Sequence, residues 1–231
     1  MTKVDEDYPD NKLSGAVFEV YSDTNGDGKL DKDDTLLGEM KELDGGVYQM
    51  SELRYGKYLV KETKAPTGFV LDENVYSVSV EENGKTYTVE NKAGVGFINA
   101  AQKGSLKIVK TSSDGKVEGF SFRVTGVDYD KTFKTDKNGE IVIEGMRIGD
   151  YTVSEVSDKA SAGYILPADK QATVKVDATA IVQMHNEFRD TPKTGDDFNL
   201  GLWVSLAALS VVGAGVLGFV SYKNRKKKKE D

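Results

Sequence analysis

The chain has no cysteine among its 231 residues, which excludes disulfide staples, thiolate nucleophiles and cysteine-ligated metals. Its only histidine, His185, sits next to Asn186 on the opposite face of an alternating run and reads as a surface residue, not a catalytic base. No nucleophile elbow, phosphate-cradling glycine loop or paired-carboxylate cleft occurs, so the sequence describes no turnover enzyme. Helical periodicity is absent up to residue 190, where short alternating runs such as Tyr76-Ser77-Val78-Ser79-Val80 are separated by turn pairs such as Asn83-Gly84 and Asn138-Gly139. Basic surplus is lacking too: formal net charge is −7. Without the residues after Thr194, 25 Lys+Arg face 34 Asp+Glu, a net of −9 that argues against nucleic-acid binding.

What is present is a repeat. Leu53-Arg54-Tyr55-Gly56-Lys57-Tyr58-Leu59-Val60-Lys61-Glu62 returns as Met146-Arg147-Ile148-Gly149-Asp150-Tyr151-Thr152-Val153-Ser154-Glu155 at an offset of 93. Lys12 to Val20 returns as Lys116 to Val124 at an offset of 104, so the first copy carries 11 extra residues between these points. Two homologous all-β domains follow, 1–102 and 103–190, each of ordinary domain size.

Alternate strand residues share a face. Tyr58, Val60 and Glu62 therefore point one way, as do Tyr151, Val153 and Glu155, and both acids are expected to be buried. Lys110 lines up with Leu106 and Ile108, and Asn186 with Val182 and Met184. In the first domain Lys3 lines up with Met1, and Asn99 with Phe97. Each domain thus places an inward Lys in its first strand, an inward Glu midway and an inward Asn in its last. A lone buried charge is costly and finds a partner or neutralises, so the three groups are expected to meet.

These residues, with Leu13-Ser14-Gly15-Ala16, the run Gly56 to Phe69 containing Ala65-Pro66-Thr67-Gly68, and Phe97-Ile98-Asn99, resemble the Cna B-type (SpaA-like) domains of Gram-positive surface proteins and pilins. The second copy is looser, with Ala160-Ser161-Ala162-Gly163 in place of the proline-containing turn. The resemblance implies two tandem prealbumin-like, inverse Ig-like β-sandwiches. It also implies spontaneous Lys–Asn isopeptide bonds, Lys3–Asn99 and Lys110–Asn186, assisted by Glu62 and Glu155. Physical chemistry agrees: burial frees the amine of its proton, and a neutral acid can polarise the Asn carbonyl and shuttle a proton. Asn91 is a rival acceptor for Lys3; Asn99 is preferred because it ends the strand before the next domain, as Asn186 ends the second.

The extra residues of the first copy fall around Asp23 to Asp34. Asp23, Asn25, Asp27, Lys29 (through its carbonyl), Asp31 and Asp34 occupy the ligand positions of a twelve-residue EF-hand loop, with Gly28 at the sharp turn. Ca2+ is the expected cofactor, with Asp34 standing where a glutamate is usual.

Leu200 to Tyr222 are 23 mostly apolar residues without a charge, roughly 34 Å as a helix and long enough to span a bilayer. The basic tail 223–231 follows, so it would stay cytoplasmic and the domains lie outside. Immediately before the span, Thr191-Pro192-Lys193-Thr194-Gly195 completes an order that resembles the cell-wall sorting signal of Gram-positive surface proteins. That resemblance implies sortase cleavage between Thr194 and Gly195 and transfer to peptidoglycan or a neighbouring pilin subunit, after a transient membrane-bound stage. The departure is Thr191 where such signals usually have Leu. Export needs a leader that the sequence does not carry before Met1, so an N-terminal portion beyond it is expected. The leading reading is a wall-anchored extracellular stalk or minor pilin subunit. Its rivals are an adhesin for host matrix or glycans, with Tyr55, Tyr129 and Phe133 as candidate contacts, and a membrane-retained ectodomain in which Thr194–Gly195 stays uncut.

Overall fold

A computed structural model describes residues 1–189. The sorting motif, the apolar span and the basic tail lie outside the described residues. Among the described residues every regular element is a strand. The first domain runs β1 (Lys3–Asp5), β2 (Val17–Ser22), β3 (Thr35–Glu39), β4 (Lys41–Glu42), β5 (Tyr48–Gln49), β6 (Gly56–Lys64), β7 (Val75–Val80) and β8 (Phe97–Asn99). The second runs β9 (Lys103–Ser112), β10 (Ser121–Gly126), β11 (Tyr129–Lys134), β12 (Glu140–Arg147), β13 (Gly149–Glu155), β14 (Tyr164–Ile165), β15 (Lys170–Val174) and β16 (Thr179–Phe188).

The second domain is a sandwich of two four-stranded sheets, ordered β11-β10-β13-β15 and β12-β9-β16-β14. The first domain has the matching sheet β3-β2-β6-β7, but its other face is reduced to the pairs β1-β8 and β4-β5. Alternation puts the apolar residues inside. Leu106, Ile108, Phe122, Val124, Val153 and Met184 are fully buried between the sheets of the second domain. Phe18, Val20, Val60 and Phe97 fill the first. The repeated tyrosines are buried with their tips satisfied: Tyr58 donates to the Arg54 carbonyl at 2.7 Å and Tyr151 to the Arg147 carbonyl at 2.8 Å.

First and last strands are parallel neighbours in both domains, β1 with β8 and β9 with β16. This adjacency brings residues about 96 positions apart in sequence into contact. A glycine holds the same place beside each first strand. The Gly46 carbonyl accepts from Lys3 N–H and the Gly139 carbonyl from Lys110 N–H, both at 2.8 Å. Both glycines have positive φ (76° and 79°). A Cβ would lie 2.6 Å from the Leu13 carbonyl oxygen at Gly46 and 2.7 Å from that of Lys110 at Gly139. Only glycine allows that approach.

The domains are joined by a charge clamp that the repeat did not reveal. Arg147 meets Asp5 in a two-point pair at 2.7 and 2.8 Å and adds Asp7 at 3.0 Å. Its guanidinium lies 4.9 Å from the centre of the Tyr8 ring, and Lys103 pairs with Asp7 at 3.1 Å. Burial alone would raise the pKa of the Asp5 carboxyl; the Arg147 hydrogen bonds and charge, together with the main-chain N–H groups of Asp7 and Tyr8, more than offset it and hold it below the usual range. Removing Arg147 leaves a buried carboxylate without its counter-charge. Arg147→Ala should therefore destabilise the chain by about 3 kcal/mol and broaden the distribution of inter-domain distances in small-angle scattering. Unfolding and scattering both unchanged would show that the clamp carries no load.

Candidate functional site

β1, β6 and β8 bring Lys3, Glu62 and Asn99 together in the interior of the first domain. All three are buried, Lys3 and Glu62 completely. Lys3 Nζ donates to Asn99 Oδ1 in a very short contact and to the Phe97 carbonyl at 3.3 Å, and it lies 3.4 Å from Glu62 Oε1. Asn99 Nδ2 donates to both Glu62 oxygens, at 3.0 and 2.9 Å. Glu62 Oε2 also accepts from the Asp72 main-chain N–H at 2.8 Å. The amine sits 4.6 Å from the centre of the Phe97 ring and 6.0 Å from that of Phe18. Desolvation lowers the Lys3 pKa to about 8, with Glu62 pulling the other way. At neutral pH the free amine is then more abundant by about two orders of magnitude than on an exposed lysine.

One expectation is corrected by the amide's orientation. The acid was expected to polarise the Asn carbonyl. Instead Glu62 faces Nδ2, the nitrogen that would leave, while Oδ1 faces the amine. An amide NH2 donates and carboxylate oxygens accept, so the acid stands between Lys3 Nζ and Asn99 Nδ2, within reach of both. Asn91 is engaged elsewhere: it donates to the Asp72 carboxylate and the Ile98 carbonyl, and accepts from Ile98 N–H.

The second domain assembles the same residue types less tightly. Lys110 and Asn186 are buried, and Asn186 Nδ2 donates to Glu155 Oε1 at 2.6 Å. Glu155, expected to be buried, is only half-buried, at the last position of β13. Burial still raises its pKa, and desolvation lowers that of Lys110. Lys110 Nζ lies 4.3 Å from the centre of the Phe120 ring and donates to the Thr111 carbonyl at 2.5 Å. Asn186 Oδ1 and Glu155 Oε2 are buried without a partner, and Asn186 Oδ1 is the counterpart of the atom that takes Lys3 in the first domain. Phe18 and Phe97 wall the first amine and Phe120 the second, roles for which the sequence carries no separate signal. His185 points outward, against Thr111 and Glu187. Tyr129 and Phe133 pack on the core of the second domain, while Tyr55 is exposed.

The Asp23–Asp34 loop joins β2 to β3, and its side chains are oriented by its own main chain. Gly28 N–H donates to Asp23 Oδ2, Asp27 N–H to Asn25 Oδ1, and Lys29 N–H to Asp27 Oδ1. Thr24 and Asp31 N–H groups each donate to one oxygen of Asp34, and Asn25 Nδ2 donates to Asp31. Gly28 takes the expected positive φ, 76°. Asp23 is 8% exposed and its Oδ1 has no hydrogen-bond partner. A buried carboxylate oxygen left open inside such a loop fits a hard cation. Among the described residues no three carboxylate or histidine side chains form a ready-made metal cluster.

The family model for the SpaA prealbumin-like fold domain matches residues 1–93 and again 104–188. Among solved structures, the chain is similar to the Bacillus anthracis TIE protein at 24% identity and TM-score 0.59, over 81% of this chain and 33% of that one. It is similar to the pilus adhesin SpaC from Lactobacillus rhamnosus GG at 15% identity and TM-score 0.50, over 80% of this chain and 30% of that one. The C-terminal fragment of that adhesin gives 15% identity and TM-score 0.50, over 81% of this chain and 96% of the fragment. The chain thus spans about a third of the length of the two larger proteins. A search of curated proteins finds no match. At these identities the solved structures speak for the fold. With two matched stretches covering most of its length, each lying on a sandwich of the same plan, the chain belongs to the SpaA prealbumin-like fold domain family.

Proposed function

We propose that the chain is a force-bearing stalk or minor pilin subunit of a Gram-positive cell surface, with each domain closed by a Lys–Asn isopeptide bond. The observation that carries this is the repeated trio linking the first strand to the last. Neutral Lys3 Nζ attacks Asn99 Cγ; Glu62 takes the proton from Nζ and passes it to Nδ2. The Cγ–Nδ2 bond then breaks and ammonia leaves, so the new amide balances the lost one. Lys110, Glu155 and Asn186 follow the same course once the amine turns from the Thr111 carbonyl to the open Asn186 Oδ1. Closing a loop of about 97 residues stabilises the first domain by about 4–5 kcal/mol on the chain-entropy account of cross-links.

Anchoring is proposed from the sequence: sortase cleaves after Thr194 and joins that residue to peptidoglycan or to the next pilin subunit. Calcium in the Asp23–Asp34 loop is proposed from the open Asp23 Oδ1, with Asn25, Asp27, Asp31, Asp34 and the Lys29 carbonyl completing the donors. Bound there, the ion would tie the loop to the end of β2.

Three measurements test these readings. Intact mass of the full chain should fall short of the sequence mass by one ammonia per domain. Glu62→Ala should restore the first ammonia and Glu155→Ala the second; an unmodified mass for the unsubstituted chain rejects the bonds. In chain made by cell-free synthesis and folding for the first time, the first bond should form about tenfold faster per pH unit below pH 8 and level off above it, because only the neutral amine reacts. A rate still climbing beyond pH 10 would mean that Lys3 is not desolvated. Calorimetric titration with Ca2+ should give saturable heat that Asp23→Ala combined with Asp27→Ala removes, and absence of heat in the unsubstituted chain rejects the metal.

A further inference from the structure

The two trios hold the same residue types, yet only the first is fully assembled. In the first domain Glu62 Oε2 accepts the Asp72 main-chain N–H, and Asn99 Oδ1 meets the amine. In the second, Glu155 Oε2 and Asn186 Oδ1 are buried without a partner, and Lys110 turns to the Thr111 carbonyl. The difference traces to the segment that follows β6 and its counterpart after β13. Gly68-Phe69-Val70-Leu71 returns as Gly163-Tyr164-Ile165-Leu166. Both copies lie in the same register, Phe69 opposite Ala101 and Tyr164 opposite Phe188, each partner standing two residues beyond the buried Asn. The next residue is Asp72 in the first copy and Pro167 in the second. Proline has no N–H to give, so Glu155 lacks the donor that Glu62 has.

Resting on the cross-link reading above, we propose that Asp72 is the positioning residue of the first domain. It holds acid, amide and amine to one point, so that the first bond forms ahead of the second. Its main-chain N–H fixes Glu62 at 2.8 Å. Its carboxylate accepts from Asn91 Nδ2 at 2.9 Å. Asn91 in turn grips the main chain of Ile98, donating to its carbonyl at 2.9 Å and accepting from its N–H at 2.6 Å. That pins the strand at the residue before Asn99. The carboxylate also accepts from the Tyr76 hydroxyl at 2.6 Å. The Tyr76 ring stands edge-on to Phe97, the ring beside the Lys3 amine. Asn74 completes the set with its main-chain N–H at 3.0 Å and its Nδ2 at 2.7 Å. These hydrogen bonds outweigh burial and hold the Asp72 carboxyl below the usual range. One side chain thus locks the supports of all three reacting groups, as a positioning shell must. In the second domain Lys170 takes the register position of Tyr76, opposite Val153 as Tyr76 is opposite Val60, and brings no hydroxyl there.

The test follows the full chain by intact mass and peptide mapping as it first folds after cell-free synthesis. In the unsubstituted chain the first domain should lose its ammonia before the second. Asp72→Ala keeps the main-chain N–H but frees Asn91 and Tyr76; it should slow the first loss about tenfold or more and leave the second unchanged. Asp72→Asn keeps an oxygen for Asn91 and Tyr76 and should retain the rate reached at high pH. The charges that act on Lys3 are those of Glu62 and Asp72, and Asp72 raises the Lys3 pKa. Either substitution should therefore move the bend in the rate–pH profile below pH 8, whereas water admitted by a loosened core would move it up. No ammonia lost from the unsubstituted chain rejects the bonds and this proposal with them. Bonds that form while Asp72→Ala leaves the first rate unchanged, or slows both domains alike, overturn the role of Asp72 alone. So do a bend that moves up, equal slowing by Asp72→Asn, and a second bond that forms first.

Discussion

An amine held out of water is the constraint on which both sandwiches turn. A lysine side chain pointing into a core would ordinarily cost several kcal/mol. Here it is tolerated because aromatic faces surround it, a carboxylate stands near it, and an amide carbonyl faces it in the first domain. The same burial frees part of the amine from its proton and so makes it a nucleophile. Stability and reactivity therefore have one origin: the environment that would make an isolated lysine a defect is what gives this one a reaction to perform.

Topology sets what that reaction accomplishes. Because first and last strands are parallel neighbours, a bond between them lets tension enter and leave each domain without passing through the strands in between. Arg147, clamped on Asp5 and Asp7, extends the same logic across the junction, since it grips the end of β1 and the residues just after it. The two devices differ in kind. The clamp is electrostatic and reversible, whereas the proposed bonds are covalent and, once ammonia has left, permanent.

Much of this was legible in the sequence because strand alternation has a fixed period. Lys110 between Ile108 and a turn, or Asn186 after Met184, can point only inward if their neighbours do. The offset of 93 carried the same assignment to Glu62 and Glu155. What escaped was whatever depends on three-dimensional closure. Glu155 lies at a strand end and is only half covered, a matter of where the sheet stops and not of periodicity. The orientation of the Asn99 amide follows from a carboxylate on one side and an amine on the other, a choice no spacing encodes. Arg147 aligns with Arg54 in the repeat, so its pairing with Asp5 is a property of the junction alone.

The most direct test of the account is to pull a single molecule from its two ends and measure the length released as each domain gives way. Lys3 and Asn99, bonded, keep the residues between them out of the extending chain, and Lys110 and Asn186 do the same. Neither interior should lengthen. Release of about 350 Å from the first domain and about 270 Å from the second, the extended lengths of those segments, would contradict it.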